Sequence, residues 1–446
     1  MRSKNSRLAT TVTGSLAALL VGIVATPAHA ESVRSDQWHL DVMHADEMWK
    51  TTTGKGVTVA VIDTGVDTRV ADLQGQVLKG KDFSARPGDQ HVDYANHGTS
   101  MAALIAGTGK RGDANGSFGL APGAKILPLR AESGKKAPNE AVSFSQFSTS
   151  LSQAIHYAAD SDAKIMNISM AGPGASPQIA KAVEYALSKG KLIFAGVGNS
   201  GQNRNPVMYP AATPGVVGVA AVNRKIIATK ESESGPQVDL AAPGEEMVAA
   251  CSDGTQICKS HGTSDATALA SASAALIWSV HPNWTANQVT RVLINTAGGP
   301  QSGEKRSDLL GYGVVRPRIA LKNPGNPGPA NVNPLPGPTA PPATPSPKPT
   351  HSKATGGMPS TAASDKSDNN TPLWIGLGLG ATALLGAGIA TPLVIARRRR
   401  DAATAQLPPP GPYPPHLPPQ PQPPAPSGSF GPPAPYDHPV APPRQR

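Results

Sequence analysis

Between residues 31 and 320, short apolar runs alternate with longer helical patterns, and this alternation constrains the fold more than any other feature. The runs at 56–62, 125–129, 164–169, 191–197, 216–222 and 238–241 are nearly unbroken in apolar residues. A strand with one wet face alternates apolar with polar residues, so unbroken runs imply strands covered on both faces. Helical patterns fall at 98–107, 145–159, 177–188, 263–280 and 285–296. In the last of these, Thr285 stands as N-cap and Val289, Val292 and Leu293 form an apolar stripe. Strand–helix alternation predicts an α/β fold with a mostly parallel central sheet and helices on both faces. In such sheets the functional site lies beyond the carboxyl ends of the strands, where Asp63 and Asn199 follow two of the runs.

The ends of the chain have a different character. Arg2, Lys4 and Arg7 precede an apolar run from Leu16 to Val24 and the triplet Ala28-His29-Ala30, the three parts of a cleavable export signal over residues 1–30. Residues 31–322 read as the globular part. Residues 323–372 are rich in Pro, Gly, Ser and Thr and too poor in large apolar side chains to offset chain entropy, which predicts a disordered, semi-extended stalk. Residues 373–396 carry no charge and are long enough for a C-terminal transmembrane helix at about 1.5 Å per residue. Arg397 to Arg400 follow, which places the tail, residues 397–446, in the cytoplasm and the globular part outside the cell membrane. That tail is Pro-rich, and runs such as Pro408-Pro409-Pro410 suit either a polyproline-binding groove or plain solvation.

The net charge of +10 suggests an acidic partner until it is divided by region. About two of these charges belong to the globular part and the rest to the ends, so the basic balance concerns a membrane and not a nucleic acid. Cys251 and Cys258 are close in sequence and lie in the exported part. An oxidising compartment favours a disulfide between them; two free thiols or a metal pair are the alternatives, and nothing nearby completes a metal site. No cofactor and no metal are expected.

Three segments carry chemistry: Val61-Ile62-Asp63-Thr64-Gly65, Asn96-His97-Gly98-Thr99-Ser100 and His261-Gly262-Thr263-Ser264-Asp265. A serine hydroxyl is a poor nucleophile until a base removes its proton. A neutral imidazole does so near pH 7, and a buried carboxylate fixes the tautomer and stabilises the cation. Taken singly, Asp63 reads as a turn residue, His97 as a helix start and Ser264 as an N-cap.

Together, in this order, they resemble the subtilisin-like serine proteases, whose triad runs Asp, His, Ser along the chain. The resemblance spans about residues 36 to 320. It implies a subtilisin-like three-layer fold, with Asp63 as orienting carboxylate, His97 as general base and then acid, and Ser264 as nucleophile. Asn199, in Ala195-Gly196-Val197-Gly198-Asn199-Ser200-Gly201, matches the family's oxyanion asparagine. Ser169-Met170-Ala171-Gly172 resembles the edge that pairs with substrate backbone, and Ala195, Gly196, Val197 and Gly198 match the wall of the pocket for the residue before the cut. The chain departs from the family pattern after the nucleophile, where Asp265 and Ala268 stand in place of an apolar residue and a proline. A carboxylate there is expected to raise the pKa of His97 and to oppose an oxyanion.

The order of signal, protease domain, stalk, span and basic stop resembles the mycosins, the membrane-anchored proteases of type VII secretion systems. Like them, the chain is expected to lack a self-folding inhibitory pro-domain. The expected activity is that of an exported, membrane-tethered serine endopeptidase acting on protein substrates, with secretion-complex subunits as further partners. The competing expectation is a weakly active or inactive protease fold serving as a structural component of such a complex.

Overall fold

The computed structural model describes residues 32–133 and 137–335. The expected signal peptide, the transmembrane span, the cytoplasmic tail and the stalk beyond residue 335 lie outside the described residues. Among the described residues, no helix is long and apolar enough to cross a membrane.

Seven strands form the central sheet: β1 (Thr58–Asp63), β2 (Lys81–Asp82), β3 (Lys125–Arg130), β4 (Ile165–Ile168), β5 (Leu192–Gly196), β6 (Val217–Val222) and β7 (Leu240–Pro243). Their order across the sheet is β2-β3-β1-β4-β5-β6-β7, and every neighbouring pair is parallel. Chain progression reverses at β1, so Asp63 ends the strand that stands at the topological switch point.

The main helices are α1 (His97–Ala106), α2 (Glu140–Asp160), α3 (Pro177–Ser188), α4 (Thr263–Val280), α5 (Ala286–Thr296) and α6 (Pro317–Lys322). Side chains alternate across a strand, so Val59 and Val61 of β1 enter one apolar layer with α1, α4 and α5. Ala60 and Ile62 enter the other, with α2 and α3. Both faces are covered, which is why the strands read as unbroken apolar runs.

Helix α4 is buried along almost its whole length because it is built from Ala, Ser and Thr, which allow a close approach to the sheet. Its interior hydroxyls are satisfied: Ser271 donates to Asn167 Oδ1 at 3.1 Å, and Ser273 to the Leu269 carbonyl at 2.7 Å. Thr285 caps α5 in a reciprocal box with Gln288, as its position before the apolar stripe implied.

Two features were not expected. A hairpin of β8 (Met247–Ala250) and β9 (Ile257–Ser260) leads directly into α4, and the disulfide that was expected between Cys251 and Cys258 closes its turn. The N-terminal segment, in three short helices over Val33–Asp36, Trp38–Val42 and Ala45–Trp49, is fastened to that hairpin. Gln37 is fully buried and donates to the carbonyls of Phe118 and Val248, and Trp38 Nε1 donates to the Glu245 carbonyl at 3.0 Å.

The segment expected as a stalk starts at residue 323, and its described residues lie against α5. Residues 323–335 are held on α5, where Arg291 donates to the carbonyls of Pro327 and Val332 and Gln288 to that of Gly328. A Pro-rich strip exposes backbone carbonyls without matching N–H donors, and one guanidinium can collect several of them.

Candidate active site

Asp63 is buried at the end of β1, and its Oδ1 accepts hydrogen bonds from the Thr64 amide at 2.7 Å and from His97 Nδ1 at 2.8 Å. His97 opens α1. The turn before it is shaped by Asp93, whose Oδ1 accepts from the Thr64 hydroxyl and the Ala95 amide, and whose Oδ2 accepts from the amide and hydroxyl of Thr99. Asn96 takes a left-handed conformation at this point. A Cβ at Gly98 would lie 2.2 Å from the Gly65 carbonyl oxygen and 3.0 Å from Asp63 Cβ, so only glycine lets α1 seat its first turn on the end of β1. The His-Gly-Thr pattern therefore has a local cause: Gly98 gives contact and Thr99 gives anchorage.

Ser264 is the second residue of α4. Its hydroxyl donates to the Ser169 carbonyl at 3.3 Å, and the Ser169 hydroxyl returns a bond to the Ser264 carbonyl at 3.0 Å. No hydrogen bond joins Ser264 to His97 among the described residues. Both side chains nevertheless line one cleft of ≈ 420 Å³, together with Asp63 and Asn199.

Asn199 is fixed by its Oδ1, which accepts the Thr263 amide at 2.9 Å. Gly262 has φ +127°, and a Cβ there would come within 2.7 Å of Asn199 Nδ2, so this glycine keeps the amide's place open. The Ser264 N–H belongs to the first turn of α4, where intrahelical acceptors are lacking. Two donors are thus available beside the nucleophile.

Of the substrate-segment residues, Ser169, Met170, Ala171, Gly196 and Gly198 line the cleft. The others do not line it. Ala195 and Val197 point into the apolar layer shared with α2 and α3, because alternate side chains of an extended strand must leave the cleft face. Gly172 instead pairs with Tyr209 in a short antiparallel bridge. Thr64, Tyr94, Ala95, Ser133, Phe147, Met208 and Thr263 also line the cleft and were not identified from sequence. Thr64, Ala95 and Thr263 adjoin the motifs and could have been; Phe147 and Met208 arrive from distant elements and carry no local signal.

Burial alone would lower the pKa of His97. The charge of Asp63 and its hydrogen bond, with the charges of Asp265 and Asp93, outweigh burial and raise it to about 9. Asp265 is itself buried, which lifts its carboxyl to about 6 against the opposing bond from Ser260 and the charges of His97 and His261. Sequence reasoning missed Glu233. Burial holds it near 7, and its carboxylate accepts the Ser200 amide beneath the turn that carries Asn199.

A parallel α/β sheet that presents an Asp–His pair, a serine at a helix start and a free amide in one cleft defines a class, the subtilisin-like hydrolases. The match to the family model described as "Subtilase family" covers residues 54–313. The chain belongs to the subtilase family of serine endopeptidases. It is 33% identical over 217 residues to the major intracellular serine protease of Bacillus subtilis, an alignment covering 47% of this chain and 65% of that protein. It is 32% identical to subtilisin E of the same species, covering 55% of this chain and 61% of that one. The chain thus spans somewhat less than two thirds of these two relatives. Among solved structures it is similar to MycP1 from Mycobacterium smegmatis, with a TM-score of 0.57, 28% identity and coverage of 66% of this chain and 86% of that one. It is likewise similar to the MycP3 protease of the type VII (ESX-3) secretion system, with a TM-score of 0.57, 30% identity and coverage of 64% and 87%.

Proposed function

We propose that this chain is an exported, membrane-tethered serine endopeptidase, with Ser264 as nucleophile, His97 as general base and acid, Asp63 as orienting carboxylate and Asn199 as oxyanion donor. The observation that carries this reading is the 2.8 Å Asp63–His97 pair in the same cleft as Ser264 and Asn199.

In the resting site the Ser264 hydroxyl donates its proton in a hydrogen bond to the Ser169 carbonyl. Attack therefore begins with rotation of the hydroxyl toward His97 Nε2. That nitrogen takes the proton as the serine oxygen bonds to the scissile carbonyl carbon, and the carbonyl oxygen gains the negative charge. Asp63, on Nδ1, holds the tautomer and stabilises the imidazolium. Asn199 Nδ2 and the Ser264 N–H receive the oxyanion. Collapse passes the proton from His97 to the leaving amine, and water repeats the sequence to release the acid and restore Ser264. The segment from Ser169 to Ala171 offers backbone for pairing with an extended substrate.

The export signal, the apolar segment at 373–396 and Arg397 to Arg400 support a cell-membrane location with the protease domain outside. The likeness to MycP1 and MycP3 supports a place in type VII secretion, on exported protein substrates and beside secretion-complex subunits. A structural role within such a complex is the second reading, favoured by the carboxylate of Asp265 directly after the nucleophile, where the family pattern has an apolar residue.

A fluorophosphonate probe separates the two. Labelling of the wild type that is lost in Ser264→Ala supports the enzyme. Absence of labelling at every pH between about 6 and 11, where a serine–imidazole pair must become active, rejects it. Secretion that persists in Ser264→Ala assigns the structural role as well.

A further inference from the structure

Between β6 and β7 the chain runs against the turn that carries Asn199 and is hydrogen-bonded to it. The Glu233 N–H donates to the Gly198 carbonyl at 3.0 Å, the Ser200 N–H donates to Glu233 Oε1 at 3.3 Å, and the Gly201 N–H donates to the Glu231 carbonyl at 2.9 Å. The first two of these bonds belong to one residue. Glu233 therefore grips the neighbours of Asn199 on either side.

Its side chain is as confined as its backbone, at 1% exposed. A Cβ at Gly198, whose φ is +114°, would lie 2.4 Å from Glu233 Oε2 and 2.5 Å from its Cδ. The carboxyl group thus fills the space that any side chain at position 198 would need. From the other side, the Gly198 N–H donates to the Thr263 hydroxyl at 3.2 Å, and the Thr263 N–H donates to Asn199 Oδ1. Glu233, the Asn199 turn and the start of α4 form one bonded unit.

Yet Glu233 Oε2 is buried with no hydrogen-bond partner among the described residues. Such an oxygen costs stability, and an apolar side chain of similar size would remove that cost. Local rules are broken in this way at functional sites, where a group serves a neighbour at the expense of the fold.

We propose that Glu233 is a positioning residue of the oxyanion hole, which clamps the residues before and after Asn199 so that Nδ2 stays aimed at the developing charge. This rests on the oxyanion role of Asn199 and adds what holds that amide in place. Displacing a catalytic group by about 1 Å can cost on the order of a hundredfold in rate, so a loosened turn is enough to matter.

The test uses the full-length chain in detergent as wild type, Glu233→Met and Glu233→Gln, each with and without Asn199→Ala. Met keeps the volume and removes the acceptor, whereas Gln keeps an oxygen for the Ser200 N–H. Kinetics on a peptide amide, melting curves and the 15N signals of the Asn199 carboxamide are recorded. The Met variant should lose about tenfold in kcat with little change in KM, melt no lower than wild type and shift the Asn199 signals. The Gln variant should recover most of the rate. In the Asn199→Ala background, Met should change kcat by less than about twofold, since its effect passes through the missing amide. Glu233→Leu serves should the Met variant not fold. An unchanged kcat in Met, an equal loss with and without Asn199, or a Gln variant as slow as Met overturns the proposal. A wild type that neither turns over nor takes the fluorophosphonate label would instead sink the protease reading. The Asn199 signals then decide alone, and identical signals in wild type and Met overturn the clamp.

Discussion

Asn199 Oδ1 accepts the backbone N–H of Thr263 at 2.9 Å, one residue before the nucleophile. That bond ties the turn after β5 to the start of α4 and leaves Nδ2 as the free donor. Asn199→Ala should therefore lower kcat about a hundred- to a thousandfold with little change in KM, the magnitude known for the oxyanion asparagine of a subtilisin. Steady-state kinetics on a peptide amide, with a melting curve to verify folding, decide the matter. A loss below tenfold would remove Asn199 from the site.

His39 makes a separate prediction about acid stability. Its ring is fully buried with no partner on either nitrogen among the described residues, and burial, with a minor contribution from Arg34, lowers its pKa to about 3. The folded protein keeps this ring neutral while the unfolded chain protonates it near the ordinary value. Its contribution is thus intact above about pH 6.5 and is lost as pH falls toward 3, amounting to on the order of 5 kcal/mol. Asp265 and Glu233 act in the opposite sense, weakening the fold as pH rises from about 4 toward 6 and 7. His39→Leu should flatten the acid side of the stability curve relative to wild type in urea titrations. Parallel curves between about pH 4 and 6.5 would contradict this assignment.

Arg291 makes a prediction about the Pro-rich strip at 323–335. It donates to three carbonyls of the Pro-rich strip, those of Pro327, Pro329 and Val332. Arg291→Ala should release residues 323–335 and speed their proteolysis by about tenfold, while the melting temperature of the protease domain barely moves. Unchanged cleavage in this strip would mean that contacts other than the guanidinium retain it.

Much of the fold was legible because two periodicities dominate the globular part. Helices α3 and α4 have the expected bounds, since Pro177 can occupy only a first helical turn and the Ala-Ser run of α4 has no breaker. Helix α2 starts five residues earlier than expected. Its first turn is solvated and shows no apolar stripe, and the cap is a single bond from the Val142 amide to Asn139. The β8–β9 hairpin escaped notice because Ile257-Cys258-Lys259-Ser260 is short and half exposed. The cleft wall was half legible: glycines at 196 and 198 bring backbone to the cleft, while the side chains of Ala195 and Val197 turn inward.

By itself the sequence determined the covered parallel sheet, the residue types that can relay a proton and their placement at strand ends and helix starts, because these follow from local periodicity and turn chemistry. Only the tertiary structure decided that Asp63 and His97, 34 residues apart, lie 2.8 Å from one another, that the Ser264 hydroxyl rests on Ser169, and that Asp265 is buried beside them. Hydrogen bonds and charge effects depend on distance through space, and that distance is set by how whole elements pack.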